Sequence, residues 1–234
     1  MSEDILTIAV VNFKPDAGQK IENLRRMKGF AAAASKRGAD LILFPEMCLM
    51  GYDYYISQQI TMEEKKESAE TLDGNSAKTM AEISKKYGNY IVFGAAEYAE
   101  EKDCLYNSAF VTGPEGVIGT YRKIHPYDAE NMWCEKGSEP FMFETPWGPV
   151  GIGICYDSYQ FPELMRYYVS KGMRLYLNPT AEFEQVELAG SRDNRQETLE
   201  LATIDLSLAD RSLCKENKWA GEIDYRPHIY KKFE

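Results

Sequence analysis

Three short segments end on residues of complementary chemistry: "LILFPE" (41–46) on Glu46, "GTYRK" (119–123) on Lys123 and "GIGIC" (151–155) on Cys155. Each segment is of strand type and stops at the reactive side chain. In α/β sheets ligands collect beyond the carboxyl ends of strands, so three such ends can converge on one pocket. A cysteine of ordinary pKa, about 8.5, is only a few per cent thiolate at neutral pH and needs a base, a positive neighbour or both. Glu46 and Lys123 are groups of those two kinds. A lone strand-end charge is ordinarily solvated and a lone cysteine ordinarily a buried structural thiol. It is the ordered triple, in matching contexts, that points to nucleophilic catalysis.

Around the sulfur, strand alternation sends Val150, Ile152 and Ile154 to one side and Gly151, Gly153 and Cys155 to the other. Two glycines beside a cysteine predict close approach of another group, read here as room for an acyl group to reach the thiol. A turn follows, then a helix over "FPELMRYYVSKG" starting near Phe161, whose N-terminus would add to thiolate stabilisation.

Upstream, "ILTIAVVNF" reads as a strand, and "AGQKIENLRRMKGFAAAASKRG" as a helix with Ile21, Leu24, Met27, Ala31 and Ala34 on its inner face, ended by Gly38. "ADLILFPE" reads as a strand buried on both faces, which completes a β-α-β opening. A second helix covers "SAKTMAEISKKYG", and strands follow at "NYIVFGAAEY", "YNSAFVTG", "GVIGTYRKI", "PFMFETPWG" and "PVGIGICYD". "RLYLNPT" is the strand after the 161–172 helix. Helix–strand alternation at the flanks and strands in the middle predict mixed sheets with helices outside, an α/β or α+β layered architecture.

The chain has 234 residues, of which 44% are hydrophobic and 12% aromatic, which suits one globular domain. With 27 basic and 37 acidic residues the net charge of -10 opposes a nucleic-acid partner. The five cysteines (Cys48, Cys104, Cys134, Cys155 and Cys214) form an odd set without a CxxC pair, so neither a disulfide framework nor a zinc site is expected. That usage fits a reduced, cytoplasmic setting. The first residues read as a strand rather than a signal peptide, and no apolar stretch is long enough to span a membrane. Only His125 and His228 are available to a Cys-His protease, and "GIGICY" lacks the third glycine of a dinucleotide loop.

The segments "LILFPEMCLMGY", "YRKIHPYD" and "GIGICYDSYQFPE" resemble the glutamate, lysine and cysteine motifs of the carbon-nitrogen hydrolases of the nitrilase superfamily, and "LNPTAEF" resembles the strand that follows. The likeness runs from residue 5 to about 181 and resumes near the C-terminus. It implies a four-layer α-β-β-α sandwich of two mixed sheets. It also implies Glu46 as general base, Cys155 as nucleophile and Lys123 as stabiliser of the tetrahedral intermediate, assisted by the backbone N–H of Tyr156. Many members carry a second glutamate past the lysine; Glu130 matches its spacing better than Glu135. Tyr52, Tyr156 and Thr180 flank the motif strands and are expected to bind substrate. His125 is given no role, and Cys48 and Asp157 are expected to point elsewhere. No metal or organic cofactor is implied.

By the same resemblance the chain, 1–234, is one carbon-nitrogen hydrolase domain that lacks an internal segment after about residue 182. The alternative is a shortened domain that has lost sheet edges; the first is favoured, since removing core strands would expose apolar faces and backbone hydrogen-bonding groups. "LATIDLSLADRS" resembles the last core strand and the start of a helix, and residues 220–234 a terminal arm that contacts a partner subunit, implying a homodimer or higher homo-oligomer. The activity implied is hydrolysis of a small linear amide or carbamoyl compound through a cysteine thioester, releasing ammonia or amine. Two alternatives stand beside it. A nitrilase would use the same three residues, although nitrilases typically follow the cysteine with Trp-Glu where this chain has Tyr156 and Asp157. The other is a non-catalytic scaffold of the same fold.

Overall fold

Alternation along the strands sorts the apolar residues into separate cores, and the elements follow from that sorting. The computed structural model describes residues 4–181, 197–208, 216–217 and 222–223. Strand β1 (Ile5–Asn12) leads into helix α1 (Lys20–Lys36), β2 (Leu41–Leu43), the short helices α2 (Tyr52–Ile56) and α3 (Met62–Ser68), and helix α4 (Asn75–Tyr87). Then come β3 (Tyr90–Ala99), β4 (Cys104–Gly113), β5 (Gly116–Arg122), β6 (Met142–Phe143), β7 (Val150–Ile152), α5 (Tyr156–Gln160), α6 (Pro162–Ser170) and β8 (Leu175–Leu177). Beyond them lie β9 (Thr198–Asp205) and a pair, β10 (Glu216–Asn217) and β11 (Glu222–Ile223).

The larger sheet runs β5-β4-β3-β2-β1-β9. Its centre, β1 to β3, is parallel, with Ile8 opposite Leu41 and Ile42 opposite Ile91, and its flanking pairs are antiparallel. The smaller sheet runs β6-β7-β8, with β7 and β8 parallel. Ala9, Val11, Ile42, Ile91, Phe93 and Phe110 face outward onto Met27, Ala31 and Ala34 of α1 and Ala77 and Met80 of α4. Leu6, Ile8, Leu41, Val92, Ala109 and Val111 face inward onto Val150, Ile152 and Leu177 of the smaller sheet. On the far side of β7 stand Leu164 and Tyr168 of α6. The four layers expected from the resemblance are therefore present. Among the described residues no helix is long and apolar enough to cross a membrane.

Four local readings change. Ile21 is 87% exposed, and the inward place in the first turn of α1 belongs to Asn23, which donates to the carbonyls of Asp16 and Leu49. Helices α2 and α3 were not expected. α3 does carry a sequence signal, the Thr61–Glu64 capping box, in which each side chain takes the other's backbone N–H. The expected helix near Phe161 is present as α6, with Phe161 as its N-cap, but a further short helix, α5, begins at Tyr156, so Cys155 itself precedes a first turn. Finally, Gly151 and Gly153 do not make room for an acyl group. A Cβ on Gly151 would lie 2.9 Å from the Tyr168 ring, and one on Gly153 would collide with the Tyr176 hydroxyl. The bare face of the strand is filled by protein aromatics. The strand at 201–205 is part of β9, at the sheet edge beside β1, and a single 3-10 turn, Leu206–Leu208, follows it; residues 209–212, the segment after residue 182 and most of the 220–234 arm lie outside the described residues.

Candidate active site

Glu46 stands three residues past β2, on a segment laid directly across β3. Phe44 donates to Val92 O at 2.8 Å and Gly94 donates to Pro45 O at 3.1 Å. A Cβ on Gly94 would lie 2.5 Å from Glu46 Cα and 2.6 Å from Pro45 O and would also strike Met47 N, so only a glycine permits this approach. Lys123 follows β5 immediately and keeps in register with β4, donating its N–H to Asn107 O at 2.8 Å. Its own carbonyl accepts from Gly137 N at 2.8 Å, and a Cβ on Gly137 would lie 2.7 Å from the Arg122 carbonyl carbon. Glu130 sits in a single 3-10 turn, Asp128–Met132.

Cys155 adopts φ 45 and ψ -106, a left-handed conformation that a non-glycine residue holds at a cost of about 1–3 kcal/mol unless its surroundings impose it. They do. Its N–H donates to Pro179 O at 3.0 Å, and the buried carboxylate of Asp157, two residues on, gathers four donors. Oδ2 accepts from Ile154 N (3.0 Å) and the Tyr121 hydroxyl (2.7 Å), and Oδ1 from His125 N (2.9 Å), with His125 Nδ1 at 2.8 Å. Tyr121 and His125 flank Lys123 at two residues either side. Asp157 thus ties the cysteine turn to the lysine segment, while the His125 ring stacks on Phe161 at 3.6 Å. Asp157 was expected to point elsewhere and His125 was given no role; the structure gives both a place in this tie.

The Lys123 ammonium lies 2.8 Å from Glu46 Oε1 and 2.8 Å from Glu130 Oε1, with all three side chains wholly removed from solvent. Asn107 Nδ2 donates to the same two oxygens, at 2.8 and 3.3 Å. The second oxygens accept backbone N–H groups, Glu46 Oε2 from Ala181 (2.9 Å) and Glu130 Oε2 from Tyr127 (2.9 Å). Burial raises the Glu46 pKa; Lys123 pulls it down and Glu130 pushes it up, leaving it above the ordinary carboxylate range. Burial lowers that of Lys123, but the attraction of Glu46, Glu130 and the Cys155 sulfur outweighs it, so the ammonium is held more firmly than usual. Tyr52 is also raised, by burial and then by Glu130, to which it hydrogen-bonds, and it feels the charge of Glu46 and Cys155.

Of the three strand-end residues, Glu46 and Lys123 are in direct contact, and the Cys155 sulfur is near enough for its charge to act on Lys123. Glu130 reaches the lysine; Glu135 is exposed and pairs through its N–H with Leu105 O of β4. Tyr52 joins the cluster. Tyr156 packs against Tyr127 and Phe161 at 5.0 and 5.3 Å, and the Thr180 hydroxyl lies 3.4 Å from that of Tyr159, one residue from the Ala181 amide that holds Glu46. Cys48 turns away, donating to Gly94 O, its thiol pushed up to about 12 by burial. Sequence reasoning missed Asn107, although a polar residue inside the apolar run "LYNSAFV" was visible, and it missed the two glycines that seat Glu46 and Lys123. Chemically, a carboxylate here can exchange a proton with a thiol or an amine. The ammonium can stabilise a sulfur or oxygen anion placed beside it.

Comparison with known proteins gives the family. Residues 7–209 match the family model described as carbon-nitrogen hydrolase. The chain is 34% identical to a Pyrococcus abyssi protein named nitrilase over 177 residues, covering 75% of this chain and 64% of that one. It is 35% identical to the omega-amidase NIT2 of Danio rerio over 172 residues, covering 69% and 58%. The chain thus spans about three fifths of the length of these curated relatives. Among solved structures, Saccharomyces cerevisiae Nit3, described as a member of branch 10 of the nitrilase superfamily, superposes with a TM-score of 0.67 at 23% identity over 76% of this chain and 65% of its own, which establishes the fold. On the family match and these relatives together, the chain belongs to the carbon-nitrogen hydrolase family, within the nitrilase superfamily.

Proposed function

We propose that the protein is an amidase-type hydrolase that cleaves the carbon-nitrogen bond of a small linear amide or carbamoyl compound through a thioester on Cys155. Glu46 takes the thiol proton as sulfur bonds to the carbonyl carbon. The resulting oxyanion is stabilised by the Lys123 ammonium and the Tyr156 backbone N–H. Collapse breaks the carbon-nitrogen bond, and the proton on Glu46 leaves with ammonia or amine. Water then attacks the thioester, its proton passes to Glu46 and on to the departing sulfur, and the carboxylic acid is released. Glu130 holds Lys123 in place, and Tyr52, Tyr156 and Thr180 line the approach.

The observation that carries this reading is the buried Glu46–Lys123–Glu130 cluster, whose ammonium feels the charge of the Cys155 sulfur. The name omega-amidase on one relative at 35% identity supports the amide class; the name nitrilase on another, at 34%, favours nitriles as a second reading. A panel of small carboxamides, carbamoyl amines and nitriles, scored for ammonia release beside a Cys155→Ala control, separates the two. A thioester mass on the Cys155 peptide identifies the nucleophile. No release from any compound by the folded wild type would favour the scaffold reading. The same proposal includes self-association through the 220–234 arm in a cytoplasmic setting, and a light-scattering mass of one chain would count against the assembly.

A further inference from the structure

Asn107 is a buried polar member of the Glu46–Lys123–Glu130 cluster to which the mechanism above gives no task. It lies on β4 with no exposed surface. Its Nδ2 donates to Glu46 Oε1 and Glu130 Oε1, the two oxygens that also receive the Lys123 ammonium. Amide and ammonium thus face each other across one pair of carboxylate oxygens. The orientation is forced, because Oδ1 in that place would confront two carboxylates. Its consequence is that Oδ1, though buried, has no hydrogen-bond partner among the described residues. An acceptor left unpaired in a core is costly and calls for a reason.

We propose that Asn107 is a positioning residue: by donating to both glutamates it fixes them so that Lys123 spends two N–H groups on them and keeps its third for the sulfur and the oxyanion. An ammonium has three donors and no acceptor, so its free donor points where the other two leave it. Without the amide, each carboxylate is held only by Lys123 and one backbone N–H, and a turn about that bond draws the third donor away. The charged and titratable groups around Glu46 are Lys123 and Glu130, with Tyr52 and Cys134 close enough to feel its charge, while the Cys155 sulfur acts on Lys123 and Tyr52. The inference rests on the thioester reading, and its test is chosen to stand apart from it.

The test compares wild type with Asn107→Leu, which removes the donor, and Asn107→Asp, which keeps the shape. Two quantities are followed against pH: kcat and KM on the best amide, and the rate of iodoacetamide alkylation at Cys155 by peptide mass. Asn107→Leu is expected to lower kcat by about ten- to a hundredfold with little change in KM, the size seen when a hydrogen bond to a charged group is lost. Its kcat/KM acid limb moves to higher pH, because a donor to the Glu46 carboxylate is gone. Asn107→Asp recovers activity only on the acid side, where the new carboxyl is protonated and can donate. In both variants the alkylation midpoint of Cys155 rises by about one pH unit, as expected for a sulfur that has lost a cationic neighbour. Profiles of wild-type shape and midpoint in both assays would overturn the assignment, whatever the absolute rates. If the wild type cleaves no amide, the functional reading fails and the alkylation midpoint alone decides the role of Asn107. If Asn107→Leu does not fold, the shape-conserving Asn107→Asp decides it.

Discussion

Replacing Gly94 by alanine should slow catalysis about a hundredfold without touching a reacting group. The added Cβ would lie 2.5 Å from Glu46 Cα and 2.6 Å from Pro45 O, where ordinary contact begins at 3.4 Å. Both neighbours are backbone, so no flexible side chain can swing aside. Because β3 is a central strand, the segment carrying Glu46 must recede, by roughly 0.9 Å, on the order of the misplacement that costs a catalytic group about a hundredfold in rate. The same recession lengthens the bonds from Lys123 at 2.8 Å and Ala181 at 2.9 Å that orient the carboxylate. Overpacking should cost about 1–3 kcal/mol of stability, which leaves a folded protein to assay. The assay is kcat at a temperature below both melting transitions, with Gly29→Ala as control. Gly29 is exposed within α1 and a methyl added there would meet nothing within 4 Å, so that change should leave rates alone and add about 0.5–1 kcal/mol of stability. Turnover of Gly94→Ala within a few-fold of wild type would refute the steric account of how Glu46 is placed.

Three further outcomes follow from the cluster. Glu46→Gln should abolish turnover yet melt at or above the wild-type temperature, since it leaves Lys123 paired with Glu130, whereas Lys123→Met strands two buried carboxylates and should cost about 3–5 kcal/mol by denaturant titration. The kcat/KM profile should fall on the acid side with a midpoint above the ordinary glutamate range, because burial raises the pKa of the base and only its ionised form accepts the thiol proton; a midpoint in the usual range would remove Glu46 as that base. Asp157→Ala should destabilise the fold by more than about 3 kcal/mol, since several donors lose their acceptor together, and Asp157→Asn should restore only part of that; equal melting of all three would remove Asp157 as the tie.

The elements legible in the sequence were those with a strong period or a strong stop: β1, α1, α4 and β3, with Gly88 closing α4 in a left-handed conformation. The catalytic candidates were legible because each follows a strand end, a place set by the topology of the sheet. What stayed hidden depends on contacts between distant segments. Gly94 reads as a weak spot in a strand until the 45–47 segment is laid on it, and Asn107 as a stray polar residue until two carboxylates arrive from elsewhere in the chain. Gly151 and Gly153 misled for the same reason: the rings they accommodate, Tyr168 and Tyr176, come from α6 and β8. Ile21 fits the helical period but not the core, because the inward place in that turn is taken by Asn23, whose amide binds the Asp16 and Leu49 carbonyls.

The cluster also sets stability against activity, and the sign follows from Glu46. Its folded pKa is raised, chiefly by burial, so the folded chain holds that proton more tightly than the unfolded chain does. The contribution of this group to stability is therefore fully present below its unfolded pKa and is lost as pH rises through the folded one. Catalysis needs the ionised carboxylate that appears over that same rise. A surface carboxylate would avoid the loss, but it would be a weaker base and its lysine would be screened by water from the oxyanion it must stabilise. Burial of two carboxylates on one ammonium is thus the condition under which Glu46 is basic enough and Lys123 cationic enough. The neutral amide and backbone donors around them keep the excess negative charge tolerable without competing for the proton.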